Sequence, residues 1–369
     1  MARIVYGVHG YGRGHATRSL SVLPELRRRH EVLILAGGEA YAAIWPDLPV
    51  VRIPTLGYYY GRRGRRSNWQ TFKRNLPAVL DLILRGPAFQ MVLDAVRDFR
   101  PDLVISDAEP YTHRVARRLH VPRIGFDHFG VMAYCRPRLP WGDRLLSRRD
   151  VLVYKALMGQ PQRVIVSSFY DAPPARPGVC VVGPMLRPQV LGVQPRPGGF
   201  LLVYLNNGVH QFTPRVDAAL RGLDCRVLVY GTQRQGSQGN LDFRPPSNLP
   251  FIEDLAGCRA VISTAGNQLV GEALHLGKPM LVMPEDCVEQ RLNAAELERM
   301  GIGMRIAADA ISASAIRAFL AEEQRFAARI RRHQRDGRAE ALAAVERFIA
   351  ELTSRPAGGL APQTAAVRG

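Results

Sequence analysis

Ser263-Thr264-Ala265-Gly266-Asn267-Gln268-Leu269-Val270-Gly271-Glu272-Ala273-Leu274-His275-Leu276-Gly277-Lys278-Pro279, then Pro284 and Glu289-Gln290-Arg291-Leu292-Asn293-Ala294, is the stretch that decides the fold. Ala260 to Ser263 is a short apolar strand run, Gly266 is a turn, and Leu269, Val270, Ala273 and Leu276 then share one helical face. A helix therefore starts where a buried strand ends. Its unpaired N–H groups and positive dipole end suit a diphosphate, and Gly266 lets the backbone approach it. Gln268, Glu272 and His275 fall on the face opposite the apolar stripe, where the Glu272 carboxylate can accept from the two hydroxyls of a ribose. The next strand, Met280 to Met283, stops at Pro284, and a second helix near Glu289 carries Gln290 and Asn293 one turn apart. A plain strand-turn-helix with a solvated Glu272 would not need the whole series of Gly266, Glu272, Gly277-x-Pro279, Pro284 and Gln290-x-x-Asn293.

Working outward, apolar runs alternate with helix-period segments along the whole chain of 369 residues. That alternation predicts an α/β protein with mostly parallel sheets. Strands are expected at Ile4–Val8, Val32–Ala36, Val50–Ile53, Leu103–Ser106, Arg123–Phe126 and Val164–Ser167, with helices such as Ala16–Arg28, Leu76–Phe99 and Tyr111–Leu119 between them. A second series opens at Phe200–Leu205 and continues through Arg226–Tyr230. The expected division is 1–186 as an acceptor-binding Rossmann-like domain, 187–199 as a Pro/Gly-rich linker, and 200–353 as a nucleotide-sugar domain ending in helices. Residues 354–369 read as a disordered tail. Two such halves imply a cleft with ligands at the carboxyl ends of both sheets.

The net charge of +18 is unevenly spread: residues 1–190 hold 29 Lys+Arg against 14 Asp+Glu, a net of +15, leaving +3 for the rest. A field of that sign favours anionic partners, including an acidic membrane surface, although an arginine-rich composition needs no function. The run Gly57-Tyr58-Tyr59-Tyr60-Gly61-Arg62-Arg63-Gly64-Arg65-Arg66 adds an aromatic and basic loop. Arg62 and Arg63 are its candidate acceptor contacts. The five cysteines are scattered and form no C-x-x-C pair, so neither a disulfide framework nor a zinc site is indicated. No apolar run reaches the length of a bilayer span, and Arg3-Ile4-Val5-Tyr6-Gly7-Val8 reads as a strand. The expected location is cytoplasmic, with peripheral contact on the inner face of a membrane as an extension of the basic half.

After strand one comes His9-Gly10-Tyr11-Gly12-Arg13-Gly14-His15-Ala16-Thr17-Arg18. Gly12 and Gly14 let a ligand approach, and the helix expected from Ala16 points its N-terminus at the cleft. The spacing departs from the dinucleotide G-x-G-x-x-G. His15 can act as a general base, since an imidazole titrates near neutral pH, or can instead cap the helix or donate to a phosphate. Asp107, directly after the strand Leu103–Ser106, either orients His15 or caps the following helix. Asp127 and His128 end the next strand and either line the acceptor site or pack within a loop.

Together these motifs resemble the donor signature of GT-B glycosyltransferases, both the MurG-like N-acetylglucosaminyltransferases and the UDP-glucosyl/glucuronosyltransferases. The resemblance implies two Rossmann-like domains facing across a cleft, and an inverting, metal-independent transfer from a UDP-sugar to a hydroxyl acceptor, without a cofactor. It implies that Thr264, Ala265, Gly266 and Asn267 bind the diphosphate, Glu272 the ribose, and Glu289, Gln290 and Asn293 the sugar. Asn206, Asn207 and Gly208 match a turn that donates to the diphosphate, while Phe251 and Ile252 match a segment whose backbone reads uracil. It also implies His15 as base with Asp107 as its partner. Thr264 stands where the plant enzymes have a phosphate-binding His, and Glu289 replaces their usual Asp. An anionic or lipid-linked acceptor would suit the basic half. A nucleotide-sugar hydrolase of the same fold is the alternative. A basic nucleic-acid-binding protein ranks last, because it leaves Glu272 and Gln290 unexplained.

Overall fold

The computed structural model describes residues 1–60, 67–205, 208–245 and 249–353, so Arg62, Arg63, Asn206, Asn207 and the tail fall outside the described residues. The first half builds one parallel sheet from β1 (Arg3–Val8), β2 (Glu31–Ala36), β3 (Val50–Arg52), β4 (Leu103–Asp107), β5 (Arg123–Asp127), β6 (Arg163–Ser167) and β7 (Val179–Val182). Its order is β3-β2-β1-β4-β5-β6-β7. The second half uses β8 (Leu201–Tyr204), β9 (Val227–Tyr230), β10 (Gly236–Gln238), β11 (Leu241–Phe243), β12 (Ala260–Ser263), β13 (Met280–Val282) and β14 (Gly303–Arg305). They lie in the order β10-β11-β9-β8-β12-β13-β14, with β10 antiparallel to β11. The alternating pattern predicted two such α/β halves, and the resemblance implied their GT-B arrangement.

Each sheet has one point where the strand order reverses: β1 between β2 and β4, and β8 between β9 and β12. Connections leave in opposite directions there, so a crevice opens at the carboxyl ends. His9 and Asp107 flank the first crevice; Leu205 and Thr264 flank the second. The central strands are buried on both faces, which is why they read as unbroken apolar runs.

The structure corrects several boundaries. The first helix runs Arg13–Arg29, so Gly14 and His15 sit in its first turn rather than ahead of it, and Gly12, with φ of 83°, is the left-handed residue that turns the chain into it. The expected helix Leu76–Phe99 is two, Asn68–Leu84 and Pro87–Phe99, because Arg85 is left-handed and the proline ring opens the second. The helices expected at the end of the second domain are Ala313–Ala321, Glu323–Ile330 and Arg338–Thr353. The last of them does not stay with the second half: Ala341, Ala344, Val345, Phe348 and Ile349 join the core under β1, β4 and β6. The expected linker also holds structure, the short helix Pro188–Leu191 with Val190 fully buried. A further apolar cluster includes Phe169 and Tyr170 of the first half with Leu269 and Leu292 of the second, so the halves share a core behind the crevice. Among the described residues no single helix is long and apolar enough to cross a membrane.

Candidate functional site

Two helix N-termini meet at the cleft. The helix Arg13–Arg29 of the first half and the helix Asn267–His275 of the second both start without a side-chain cap, so the N–H groups of their first turns remain unclaimed by side chains. A Cβ built on Gly14 would lie 3.8 Å from Gln268, which fixes how near the two helices come. A Cβ on Gly12 or Gly266 would meet nothing within 4 Å. Both glycines thus border open space at a positive helix end, the setting a diphosphate requires.

On the first-half wall, His15 Nδ1 lies 2.8 Å from Asp107 Oδ1. The sequence expectation of a His-Asp pair is met in geometry, with an addition that the sequence motifs do not announce. Arg18, one turn along the helix from His15, clamps the same carboxylate, Nε to Oδ2 at 2.9 Å and Nη2 to Oδ1 at 2.5 Å. Burial pushes the Asp107 pKa up, but the charges of Arg18 and then His15 outweigh it and hold the group below its usual range. Burial likewise opposes the charge of Arg18, and Asp107 overcomes it. Arg18 Nη2 also comes 2.9 Å from His15 Nδ1. A guanidinium can only donate, while Nδ1 either donates to Asp107 or accepts from Arg18; in the tautomer where Nδ1–H donates to Asp107, Nε2 keeps the lone pair. His9 packs edge-on against His15 at 5.0 Å and its Nδ1 is buried without a hydrogen-bond partner among the described residues. Burial first, then His15, lowers the His9 pKa to about 3, so His9 is a neutral ring.

On the second-half wall, Glu272 is 1% exposed and its two oxygens are held by Arg187, Nε to Oε1 at 2.8 Å and Nη2 to Oε2 at 2.6 Å. Gln268 Nε2 donates to the same carboxylate at 2.9 Å and to Met185 O at 2.6 Å. Glu272 therefore stands where a ribose ligand is expected but already has a partner from the connecting segment. Arg187 is likewise absent from the sequence motifs; a lone arginine between Leu186, which is buried, and Pro188 is its signal.

Several expected ligands are used by the protein itself. Asp127 accepts from the Gly130 N–H at 2.7 Å, where the short helix Gly130–Tyr134 begins, and from Tyr154 Oη at 2.6 Å, so both of its carboxylate oxygens have partners within the protein. Burial raises its pKa. His128 is also internal, with Nδ1 at 2.7 Å from Ser167 O and Nε2 at 3.0 Å from Asn293 Oδ1. Asn293 donates onward to Ala265 O at 2.9 Å, and Asn267 accepts from Phe169 N at 3.3 Å. His128, Asn293 and Asn267 are thus polar ties between the halves that hold the Thr264–Gly266 loop in place, so the side chains expected at the acceptor and the sugar are engaged with one another. Gly208 gives its N–H to Gly231 O at 3.0 Å and leaves no room for a Cβ, which would lie 2.3 Å from that oxygen. A glycine is therefore required here by the close approach of the two chain segments. Phe251 and Ile252 lie inside the helix Leu249–Gly257, and the Phe251 ring packs on Tyr204 and Tyr230. Glu289 is half-buried with its Oε1 3.9 Å from His128 Nε2, and Gln290 Oε1 accepts from Glu285 N at 2.9 Å.

A strap of aromatic residues crosses the cleft above these walls. Tyr60 stacks on His210 at 4.8 Å, and its hydroxyl reaches Glu285 at 3.3 Å and Tyr11 at 3.4 Å. Tyr58 lies edge-on to Tyr11 at 5.5 Å. The sequence does not single out Tyr11, His210 or Glu285 as site residues, because their proximity depends on the closeness of two domains.

A family model described as glycosyl transferase family 1 matches residues 2–323. The chain belongs to that family. This family 1 glycosyltransferase is similar in fold to CalG4, the calicheamicin glycosyltransferase, at 21% identity and a TM-score of 0.66, with 97% of this chain and 100% of that one covered. The glycosyltransferase of kitacinnamycin gives 18% identity and a TM-score of 0.67 over 95% and 100% of the two chains. MurG of Acinetobacter baumannii gives 16% and 0.57 over 93% and 99%. No curated protein sequence matches the chain.

Proposed function

We propose that this glycosyltransferase moves a sugar from a UDP-sugar to a hydroxyl acceptor with inversion at the anomeric carbon. The observation that carries the reading is the His15–Asp107 pair at 2.8 Å, set across the cleft from the uncapped N-terminus of the helix Asn267–His275. In the proposed step the acceptor oxygen attacks the anomeric carbon from the side opposite the diphosphate. Its proton passes to His15 Nε2 while the bond from the anomeric carbon to the phosphate oxygen breaks. One displacement, with one base, inverts the centre. Asp107 keeps Nδ1 protonated and offsets the charge that forms on the ring, as an orienting carboxylate does. The leaving diphosphate meets the N–H groups of Gly266, Asn267 and Gln268 and the helix dipole.

Glu272 would bind both ribose hydroxyls, which favours UDP over a deoxyribose nucleotide that lacks one of them. The glycosyltransferase VinC has been solved in complex with dTDP, so the comparison of the two nucleotides is the informative one. Incubating the enzyme with UDP-sugars and dTDP-sugars, with and without a panel of hydroxyl acceptors, and following the product's anomeric proton by NMR tests the whole reading. Inverted product only with acceptor present supports it. Retained configuration removes the single-displacement step, and nucleotide release that ignores the acceptor makes the protein a hydrolase.

A further inference from the structure

Arg123 opens β5 at the amino edge of the first sheet, the edge opposite the one carrying His15 and Asp107. A cavity of about 590 Å³ lies there, between the ends of the helices Asn68–Leu84, Pro110–Arg118 and Arg144–Met158. Among the described residues, Arg85, Arg114, Arg117, Arg118, Arg123 and Lys155 line it, and no carboxylate does. Two of these cations are anchored: Arg114 donates to Ala156 O and Leu157 O, and Arg123 to His113 O, Met158 O and Gln160 O. Arg85, Arg117 and Arg118 are exposed and form no ion pair among the described residues. Burial, and then the charge of Arg117, pull the pKa values of both Arg114 and Arg123 down, so the cluster holds repulsion that an anion would relieve.

A second, independent sign of a ligand is His113. It is fully buried in the cavity wall, and neither ring nitrogen has a hydrogen-bond partner among the described residues. Burial lowers its pKa to about 3, which leaves a neutral ring with one donor and one acceptor unused. Apart from the exposed His120, the rest of the lining is apolar, with Leu82, Phe89 and Met158 buried and Ile83 exposed at the rim. Leu84 and Leu152, close by in sequence to lining residues, are 73% and 70% exposed.

We infer that this cavity is a second ligand site, separate from the cleft, that takes the phosphate group of a ligand whose remainder is apolar. Arginine forks match phosphate oxygens, and the exposed aliphatic rim gives the apolar part a surface. A soluble phosphate ester and the head group of an anionic phospholipid share this chemistry. The site does not depend on the identity of the sugar donor.

The test uses the full-length protein and an Arg117→Ala/Arg118→Ala variant, with Arg148→Ala/Arg149→Ala as a control that removes the same charge elsewhere. Calorimetry with inorganic pyrophosphate, in the presence of saturating UDP to fill the cleft, reads the soluble arm. Flotation with phosphatidylglycerol and phosphatidylcholine vesicles reads the lipid arm. At least a tenfold weakening in the first variant, but not in the control, supports the site in whichever arm it occurs and names the source of the phosphate. A His113→Leu variant should weaken the same arm while its thermal unfolding stays cooperative. Equal binding by wild type and the Arg117/Arg118 variant in both arms, or equal loss in the control, overturns it.

Discussion

Arg187, in the segment that joins the two sheets, holds both carboxylate oxygens of Glu272, at 2.8 and 2.6 Å. A donor that is to use Glu272 for its ribose must share this carboxylate with Arg187 or displace it. The pair couples donor binding to the connecting segment, and the two partners are predicted to respond differently to substitution.

Glu272→Gln is expected to weaken UDP binding about ten- to hundredfold, since hydrogen bonds to a charged group contribute about 1.5–3 kcal/mol. It should also lower thermal stability, because it strands the mostly buried Arg187 guanidinium. Arg187→Ala separates two roles. If Arg187 is a latch, its removal frees Glu272 and UDP binds more tightly; if it is a diphosphate ligand, UDP binds less tightly. Calorimetry of both variants gives the sign. UDP affinity unchanged in both would remove the pair from the donor site.

His15→Ala is expected to lower transfer by about 10²–10⁴ while sparing donor affinity, because the base acts on the acceptor proton. Asp107→Asn is predicted to do more than disturb the imidazole. Its carboxylate also neutralises buried Arg18, and breaking a buried pair by removing one partner costs about 3–5 kcal/mol. Denaturant unfolding should therefore show a large loss for Asp107→Asn and a small one for His15→Ala. Equal stability of the two variants would contradict the shared-carboxylate geometry.

The His15–Asp107 pairing was legible as one of two readings: Asp107 lies at the carboxyl end of one buried strand, His15 lies in the glycine-rich segment after another, and the family resemblance implied that they pair. Arg18 was legible in principle: it occupies a helix position amid Ala16, Ser19 and Val22, all of them buried. What could not be read were contacts set by how the halves meet. His128, Asn267 and Asn293 have the residue types of ligands, but they satisfy one another across the interface. Short strands such as β10 and β14, with three residues each and glycine at one end, carry too little periodicity to be seen. The return of Arg338–Thr353 to the first sheet is likewise non-local, since its apolar face fits either half until the chain path is known.

Glu109 gives a pH prediction. It is 2% exposed, and burial raises its pKa to about 7 against the hydrogen bonds it accepts from the Thr112 and Tyr111 N–H groups. The folded state then holds a proton that the unfolded state has lost between its ordinary value of 4.5 and about 7. This contribution is fully present below pH 4.5 and is lost as pH rises through about 7. Glu109→Gln removes it, so wild type should lose stability relative to the variant between about pH 4.5 and 7, by up to about 3 kcal/mol. A difference in unfolding free energy that stays flat over that range would mean the carboxyl ionises normally.

Tyr60 supplies the last prediction, because it bridges the halves twice, by its ring on His210 and by its hydroxyl to Glu285. Tyr60→Phe keeps the stack and should change kcat/KM little, since a neutral hydrogen bond nets about 0.5–1.5 kcal/mol and solvent replaces part of it. Tyr60→Ala removes the stack as well, a pair worth about 0.5–1.5 kcal/mol, and opens the strap over the cleft. We propose that the strap, lying across the cleft, also excludes water and positions the acceptor. Tyr60→Ala should then lower kcat/KM for acceptor about three- to tenfold, leave UDP affinity within about twofold, and raise the share of donor that is hydrolysed. Steady-state kinetics with product analysis measure all three. Weakened UDP binding with unchanged acceptor kinetics would instead make the strap part of the donor site.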